Sequence, residues 1–261
     1  MLIVTVASCL MPASSADAVT PSGGLPDGGP TAAQNCRSRL ADRSEWPGWL
    51  RPRRATVLVD SVLLGGVRAL RSRRRCWRVG IIGRPALMVR IAERELRQRR
   101  RPVARLVVVG LGYNSLWERG RRRYGLWARR FDSEARKLLR TLRALGARQV
   151  VWVTLREPTW RTVPPQARGE LGQYSWYFPY VNERLRRLDR RRDDLVLANW
   201  ARASARPGLT YDSIHLNTTG ASLMARTIWG AVSRAARRQR STAWRTANSR
   251  GALLPRRHAG A

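Results

Sequence analysis

Short apolar runs of strand length alternate with segments of helical period along most of this 261-residue chain. Continuous apolar runs of this length are typical of strands that are buried on both faces. Because helical segments separate the runs, successive strands are expected to be joined by right-handed crossovers. We therefore predict one α/β domain with a five-stranded parallel sheet. The five runs are residues 55–59, 79–82, 106–111, 150–154 and 195–198.

Helices are predicted between these strands and after the last one. The clearest helix takes Asp132 or Ser133 as its N-cap and ends at Gly146, which suits the left-handed conformation common at helix ends. Its apolar residues recur at helical spacing and form one stripe. Pro85 is expected to open another helix at its first turn. The remaining predicted helices are residues 61–70, 180–188 and 220–236.

The chain is strongly basic, with 51 Lys and Arg against 17 Asp and Glu and a formal net charge of +34. All the basic residues except Lys137 are Arg. A charge of this size predicts attraction to polyanions, such as an anionic wall polymer or membrane surface. The alternatives are Arg at ordinary solvated positions and a dedicated nucleic-acid site. No RNA-binding motif interleaves the Arg runs with aromatic residues, so we favour the first and expect no dedicated nucleic-acid site.

The two ends of the chain differ in composition from its centre. Residues 1–18 resemble the remnant of an export signal, with an apolar stretch before Ala16-Asp17-Ala18. Residues 19–35 are rich in Gly, Pro, Ser, Thr and Ala, which predicts a flexible linker, and residues 19–50 together form the linker and lead-in. The folded domain is expected over residues 51–237, followed by an Arg-rich loose tail over residues 238–261. This organisation predicts a secreted protein or one associated with the cell envelope.

The cysteines leave two questions open. Cys9 ends a Val6-Ala7-Ser8-Cys9 pattern that resembles a lipoprotein processing box, so lipid anchoring is an alternative to release. Removal of the signal would leave Cys36 and Cys76. A disulfide between them and a pair of free thiols are both open, because the sequence does not show their Cα separation.

Polar residues follow two of the predicted strands. Ser61 follows the first strand and begins a helix, whose N-terminus favours developing negative charge. Asn114 follows the third strand through Gly112, where its amide could donate to an oxyanion. Taken singly, Asp60 or Ser61 is an ordinary helix cap and Asn114 an ordinary turn residue. Because parallel α/β sheets bind ligands at the carboxyl ends of their strands, the two together indicate a site.

His215 is the candidate general base. The chain has 2 histidines, and the other, His258, lies in the predicted tail. A serine hydrolase needs a base whose pKa is near neutrality, which favours His215. Asp212 stands three residues earlier, where its carboxylate can fold back on the imidazole and hold the tautomer. Gly-x-Ser-x-Gly, His-Glu-x-x-His and Cys-x-x-Cys patterns are absent from the sequence, so it lacks the usual esterase elbow, zinc-protease and zinc or redox signatures.

Four parts of the chain resemble, in order, the conserved sequence blocks that define the SGNH (GDSL-type) hydrolases. They are Val59-Asp60-Ser61, Gly83, Gly112-Tyr113-Asn114 and the segment from Asp212 to His215. The resemblance covers about residues 55–235. It implies a flavodoxin-like three-layer α/β/α sandwich that works without a cofactor or a metal. Carried over to this chain, it implies Ser61 as nucleophile, His215 as base and Asp212 as the residue that orients His215.

The resemblance also implies an oxyanion hole formed by the amides of Ser61 and Gly83 and the side chain of Asn114. Gly80 is the alternative to Gly83. Val59 departs from the family pattern, which has Gly at the start of the first block. A β-branched residue resists conformations that Gly allows, so Val59 could slow the reaction without supplying a reacting group.

Aromatic residues near the predicted strand ends are candidates for a substrate pocket. Tyr113 belongs to the third block, and Trp160 and Trp176 belong to a long segment after the fourth strand. Their rings could line an acyl or sugar pocket, or could pack the segment against the core.

Two functions follow from these patterns. The first is an exported serine esterase acting on small acyl groups, such as O-acetyl, of carbohydrate or lipid, or an acyltransferase. The overall pattern of the chain is similar to that of the extracytoplasmic SGNH domains that accompany membrane acyltransferases, and the small acyl substrate is what this similarity implies. The alternative is a non-catalytic polyanion-binding protein on a degenerate hydrolase scaffold.

Overall fold

Five short strands form one parallel sheet in a computed structural model of the chain. The structure describes residues 53–73, 77–116, 121–172 and 175–251. The predicted signal remnant, the linker, Cys9, Cys36 and Cys76 lie outside the described residues. The strands are β1 (Arg54–Val59), β2 (Arg78–Gly83), β3 (Leu106–Gly110), β4 (Gln149–Val153) and β5 (Leu195–Ala198). Each strand begins and ends within one residue of the predicted bounds.

The strand order is β2-β1-β3-β4-β5, and every neighbouring pair is parallel. This confirms the predicted five-stranded, flavodoxin-like sheet. The winding direction reverses between β1 and β3, and such a reversal opens a crevice at the carboxyl ends of the two strands. Ser61 follows β1 and Asn114 follows β3. The fold therefore places both residues beside the crevice where ligands of this architecture bind.

Helices cover both faces of the sheet and complete the predicted three layers. On one face α2 packs against α7, and on the other α4 packs against both α3 and α5. Trp229 of α7 donates a hydrogen bond from Nε1 to the carbonyl of Leu70, which holds the first of these pairs together. The helices are α1 (Ser61–Leu64), α2 (Val67–Arg73), α3 (Val89–Arg99), α4 (Tyr124–Ala144), α5 (Phe178–Arg190), α6 (Trp200–Ala203) and α7 (Thr218–Gly251).

Two predicted helices begin or continue differently in the structure. The single helix predicted over residues 61–70 is wrong, because a turn at Gly65 and Gly66 divides it into α1 and α2. Pro85 does not open a helix, because Ala86 after it has a positive φ of 57° that interrupts a helical path. The helix begins instead at Val89.

The predicted start of the long helix before β4 is also wrong. Helix α4 begins at Tyr124 rather than at Asp132 or Ser133. Ala128 and Phe131 are buried and continue the apolar stripe toward the N-terminus, so the helix has no reason to end at the polar pair. Asp132 instead forms an ion pair with Arg136 one turn later. Gly146 has a φ of 104° just after the helix, as expected at a helix end.

The loose tail predicted from residue 238 is contradicted as far as Gly251, because α7 continues to that residue. The segment between residues 237 and 250 contains neither Gly nor Pro, so nothing in its backbone interrupts the helix. Arg238 also anchors it through hydrogen bonds to Asp189 (3.4 Å) and Asp193 (3.2 Å). Within the described ranges, no helix is both long enough and apolar enough to span a membrane.

Candidate active site

Ser61 and His215 meet at the carboxyl edge of the sheet, although 154 residues separate them in sequence. The Oγ of Ser61 lies 3.0 Å from Nε2 of His215. Ser61 stands here because β1 ends at Val59 and α1 begins at Ser61. A hydroxyl at this distance can pass its proton to a neutral imidazole. The sequence-predicted nucleophile and base are therefore in contact.

Asp212 holds His215 from the other side. One carboxylate oxygen, Oδ2, lies 2.6 Å from Nδ1 of His215. The other, Oδ1, accepts hydrogen bonds from the backbone N–H groups of Ile214 (2.8 Å) and His215 (2.6 Å). A single carboxylate thus fixes both the loop and the imidazole ring. This geometry favours the tautomer with the proton on Nδ1, which leaves Nε2 free to accept from Ser61.

The pair also changes the charge state of both groups. The hydrogen bond to Asp212 raises the pKa of His215, and the Asp212 charge acts in the same direction. Burial opposes ionisation of Asp212, but hydrogen bonds from His215 and from the backbone hold its pKa below the ordinary value. The imidazolium that forms when His215 accepts a proton is therefore stabilised.

Asp60, expected from the sequence only as a possible helix cap, makes a second contact beside the candidate site. Its carboxylate does cap α1, since Oδ1 accepts from the backbone N–H of Val62 at 3.1 Å. Its Oδ2 also accepts from Nδ2 of Asn114 at 3.3 Å. Burial raises the pKa of Asp60 to about 7. A buried carboxyl next to the nucleophile thus ties the β1 end to the β3 end.

Asn114 lies beside the candidate nucleophile through this contact with Asp60. Gly112, two residues earlier, has a φ of 145°, a conformation that favours glycine and that turns the chain after β3. The Asn114 side chain is half-buried. Its role as an oxyanion donor stays a prediction.

Replacement of Asn114 with Ala tests that role. If the amide donates to the oxyanion, kcat for ester hydrolysis is expected to fall about 10²–10³-fold, with a smaller effect on KM. Steady-state kinetics on p-nitrophenyl acetate measure this change. An unchanged kcat in a folded variant would remove Asn114 from the oxyanion hole.

Gly83 ends β2 directly beside Val59 of β1. A Cβ at position 83 would overlap the carbonyl oxygen and the Cγ2 atom of Val59. The close approach of the two strand ends therefore requires glycine here. By contrast, a Cβ at Gly80 would have only ordinary contact with the Ala55 carbonyl, at 3.9 Å. Whether the Gly83 amide donates to an oxyanion stays a prediction.

We expect Gly83→Ala to lower the free energy of unfolding by about 1–3 kcal/mol, because the β1 backbone must shift to accept the methyl group. Gly125→Ala is the matched control, since a Cβ there meets nothing within 4 Å. Urea denaturation monitored by circular dichroism compares the two variants. Equal stability of the two would contradict the close approach.

The three predicted pocket aromatics have different surroundings. The ring of Tyr113 is buried, and its hydroxyl accepts a hydrogen bond from the Arg156 backbone at 2.6 Å. Its assignment to the pocket is wrong, because the ring packs in the core. Trp160 is 61 % exposed under the guanidinium of Arg168, and half-buried Trp176 packs edge-on against its neighbours. A role for the two Trp residues in substrate binding stays a prediction.

Tyr211 is an aromatic residue that the sequence reading missed. Its ring stacks on the His215 imidazole, with centroids 5.8 Å apart and an interplanar angle of 11°. Tyr211 is also 63 % exposed. Tyr211 directly precedes Asp212 in the sequence, and this neighbouring position is the signal that could have pointed to a place beside His215. The exposed ring forms one wall beside the candidate base.

Arg156 is the second residue that the sequence reading missed. The residue follows β4 and is fully buried, yet its guanidinium faces no carboxylate within ion-pair distance among the described residues. Its NH2 group donates to the carbonyls of Thr162 and Arg206. It thereby joins the loop after β4 to the loop that leads to Asp212. Because the chain has 51 basic residues, the sequence alone gives no signal that Arg156 would be buried.

The described residues contain no cluster of three or more His, Cys, Asp or Glu side chains arranged to hold a metal ion. The chemistry that the site supports on its own residues is nucleophilic: a hydroxyl, an imidazole and a carboxylate lie in one hydrogen-bonded row.

Comparison with solved structures identifies the fold. The chain is similar to a member of the lipolytic protein G-D-S-L family from Veillonella parvula, at 12 % identity and a TM-score of 0.55 over 69 % of this chain and 98 % of that one. It is similar to an acetyl xylan esterase at 15 % identity and a TM-score of 0.54, over 69 % and 99 % of the two chains.

A third similar structure is the C-terminal catalytic domain of peptidoglycan O-acetyltransferase A from Streptococcus pneumoniae. Its identity to this chain is 17 % and the TM-score is 0.50, over 69 % of this chain and 93 % of that one. No family model and no curated sequence matches the chain. The resemblance to SGNH hydrolases is thus confirmed by the fold that the chain shares with them.

Proposed function

We propose that the chain is a serine esterase of SGNH type that cleaves small acyl esters, foremost O-acetyl groups on carbohydrate. The observation that carries the proposal is the row from Ser61 Oγ through His215 to Asp212, with distances of 3.0 and 2.6 Å. These are the separations that proton transfer and tautomer control require. The row stands at the sheet edge where this fold binds its ligands.

The reaction begins when Ser61 Oγ attacks the ester carbonyl carbon and its proton passes to Nε2 of His215. Amide donors from Ser61 and Gly83 and the Asn114 side chain stabilise the oxyanion. His215 then gives the proton to the leaving alkoxide, which departs and leaves an acyl-enzyme on Ser61. Water, or a sugar hydroxyl in a transfer reaction, attacks the acyl-enzyme and restores the serine.

Val59 does not by itself argue for a degenerate site. Its side chain is fully buried, and it contributes to the core rather than to the row of reacting groups. The contact between Ser61 and His215 forms with Val59 in place. The non-catalytic alternative therefore loses its main support.

The choice of acetylated carbohydrate rests on two of the similar structures, an acetyl xylan esterase and a peptidoglycan O-acetyltransferase domain. Export to the cell envelope rests on the apolar start of the chain. The acetylated carbohydrate substrate and the export are both part of the function that we propose. Acylated lipid is the alternative substrate, and its longer chain would need an apolar pocket.

Substrate preference tests the proposal. The purified chain is incubated with acetylated xylan, with O-acetylated peptidoglycan, and with p-nitrophenyl acetate and palmitate. We expect acetate release from at least one carbohydrate and faster turnover of the acetate than of the palmitate ester. Turnover that favours palmitate would contradict the carbohydrate assignment while leaving an esterase. No turnover of any ester would overturn the esterase itself.

A further inference from the structure

An arginine-lined cleft lies between α4 and α5, away from the candidate active site. Its volume is about 230 Å³. We call it the arginine cleft, and define it by its lining residues: Asp132, Arg136, Arg184, Arg187, Leu188, Arg191 and Arg192. Residues 184, 187, 188 and 191 recur at helical spacing, so they form one face of α5 and its end. Five arginines therefore line one cleft: Arg136 of α4, Arg184 and Arg187 of α5, and Arg191 and Arg192 just after α5.

Three of the five arginines have acidic partners. Arg136 pairs with Asp132, Arg187 with Glu183 at 2.9 Å, and Arg192 with Asp194 at 2.6 Å. Five positive and three negative charges leave the cleft and its partners with a net charge of +2. The local excess is cationic even after one acidic partner is counted for each paired arginine of the cleft.

Arg184 and Arg191 supply this excess. Among the described residues, neither forms an ion pair or a side-chain hydrogen bond. Arg184 is half-buried, whereas Arg191 is exposed at the rim. Arg184 is thus a partly buried cation that no carboxylate of the described residues neutralises. An anion in the cleft would supply the missing partner.

The cleft lies toward the amino edge of the sheet. Helix α5 runs from the carboxyl end of β4 to the amino end of β5, and Arg191 and Arg192 stand just before β5 begins at Leu195. Ser61 and His215 lie at the opposite, carboxyl edge. A ligand in the arginine cleft would therefore leave the candidate active site open.

We propose that the arginine cleft binds phosphate groups of a phosphodiester polymer. The planar guanidinium fork matches phosphate oxygens in a bidentate way, and Arg is the preferred residue for such recognition. Arg184 and Arg191 have no acidic partner among the described residues, so their guanidinium groups are available to contact phosphate oxygens, while carboxylates hold the other three arginines of the cleft. The net charge of +34 draws a polyanion toward the protein, and the cleft then holds one of its phosphates. This binding is independent of the proposed esterase reaction.

The experiment measures the affinity of the full chain for inorganic tripolyphosphate by calorimetry at physiological salt. The double variant Arg184→Gln/Arg191→Gln is expected to bind about tenfold or more weakly, through the loss of two charge-assisted contacts. The control is Arg94→Gln/Arg99→Gln, two exposed arginines of α3. It removes the same charge and is expected to bind within about twofold of the wild type.

A third variant, Arg184→Lys/Arg191→Lys, keeps the charge but removes the forks, and we expect intermediate affinity. Circular dichroism and turnover of p-nitrophenyl acetate establish that each variant is folded. If the glutamine variant does not fold, the affinity of the lysine variant for tripolyphosphate is compared with that of the control variant instead. Equal losses in the cleft and control variants would show that net charge alone binds the anion, and would overturn the proposal. No binding to the wild type would also overturn it.

Longer ligands then distinguish the sources of phosphate. Poly(glycerol phosphate) and a short oligothymidylate are compared with anionic lipid vesicles, using the same four proteins. A cleft-dependent loss with either polymer supports the proposal and identifies which backbone is preferred. Binding to vesicles alone, unaffected by the cleft variants, would contradict it.

Discussion

Ser61→Ala is expected to lower kcat for p-nitrophenyl acetate by about 10⁴-fold or more, to the residual rate that binding alone supports. The reason is that Ser61 carries the attacking oxygen, which alanine lacks. The substitution removes one hydroxyl that bonds to His215, so the fold is expected to persist. Steady-state and single-turnover kinetics measure the effect.

His215→Ala is expected to produce a loss of the same order, and the double variant should be no slower than either single variant. Groups that act as one unit do not contribute additively. The matched control is Ser72→Ala, an exposed serine at the end of α2 whose hydroxyl bonds only to the Ala69 carbonyl in the described structure. A Ser61→Ala variant that retains wild-type turnover would end the nucleophile assignment.

Asp212→Asn is expected to lower kcat by about 10⁴-fold while leaving the loop in place. An asparagine oxygen can still accept from the backbone N–H groups of Ile214 and His215, as Oδ1 does now. Its amide would face Nδ1 and force that nitrogen to accept. The imidazole proton would then lie on Nε2, where it opposes transfer from Ser61.

The same variant changes the pH dependence. Only neutral His215 can accept the Ser61 proton, so wild-type kcat/KM is expected to fall as pH drops through the pKa of His215. Asp212 raises that pKa above the ordinary value. The acidic limb of the wild-type pH–rate profile, where kcat/KM falls, therefore lies at a higher pH than an isolated imidazole would give. In Asp212→Asn the limb should move to lower pH. The exposed Asp193→Asn, which affects neither group, is the control.

If the acidic limb of the pH–rate profile stays at the same pH in Asp212→Asn and turnover is unchanged, Asp212 does not orient His215. A loss of turnover without movement of the limb would show that Asp212 acts on the loop rather than on the charge of the ring. The two readouts therefore separate an electrostatic role from a structural one.

Much of the fold could be predicted because its strands are buried on both faces. Continuous runs such as residues 106–111 leave little choice of secondary structure, and their spacing requires crossovers. The helix boundaries were harder to predict. The division at Gly65 and Gly66 and the early start of α4 at Tyr124 depend on packing against the sheet, which local sequence preferences do not encode.

The candidate site shows the same division. The contacts of His215 with Ser61 and Asp212 could be expected, because few residue types perform this chemistry. Ser61 directly follows β1, whereas Asp212 and His215 lie in the loop before α7. Asp60 was recognised only as a cap, because its second contact, with Asn114, joins two strand ends that are far apart in sequence. Arg156 could not be distinguished from the other arginines, because its burial is a property of the folded loops.

Covalent labelling tests the nucleophile most directly. The full chain is treated with phenylmethylsulfonyl fluoride, and the product is analysed by intact mass and by peptide mapping. We predict a single sulfonyl group on Ser61, none in Ser61→Ala, and much slower labelling in His215→Ala because the base is missing. A label on another residue, or equal rates in wild type and His215→Ala, would contradict a serine activated by this histidine.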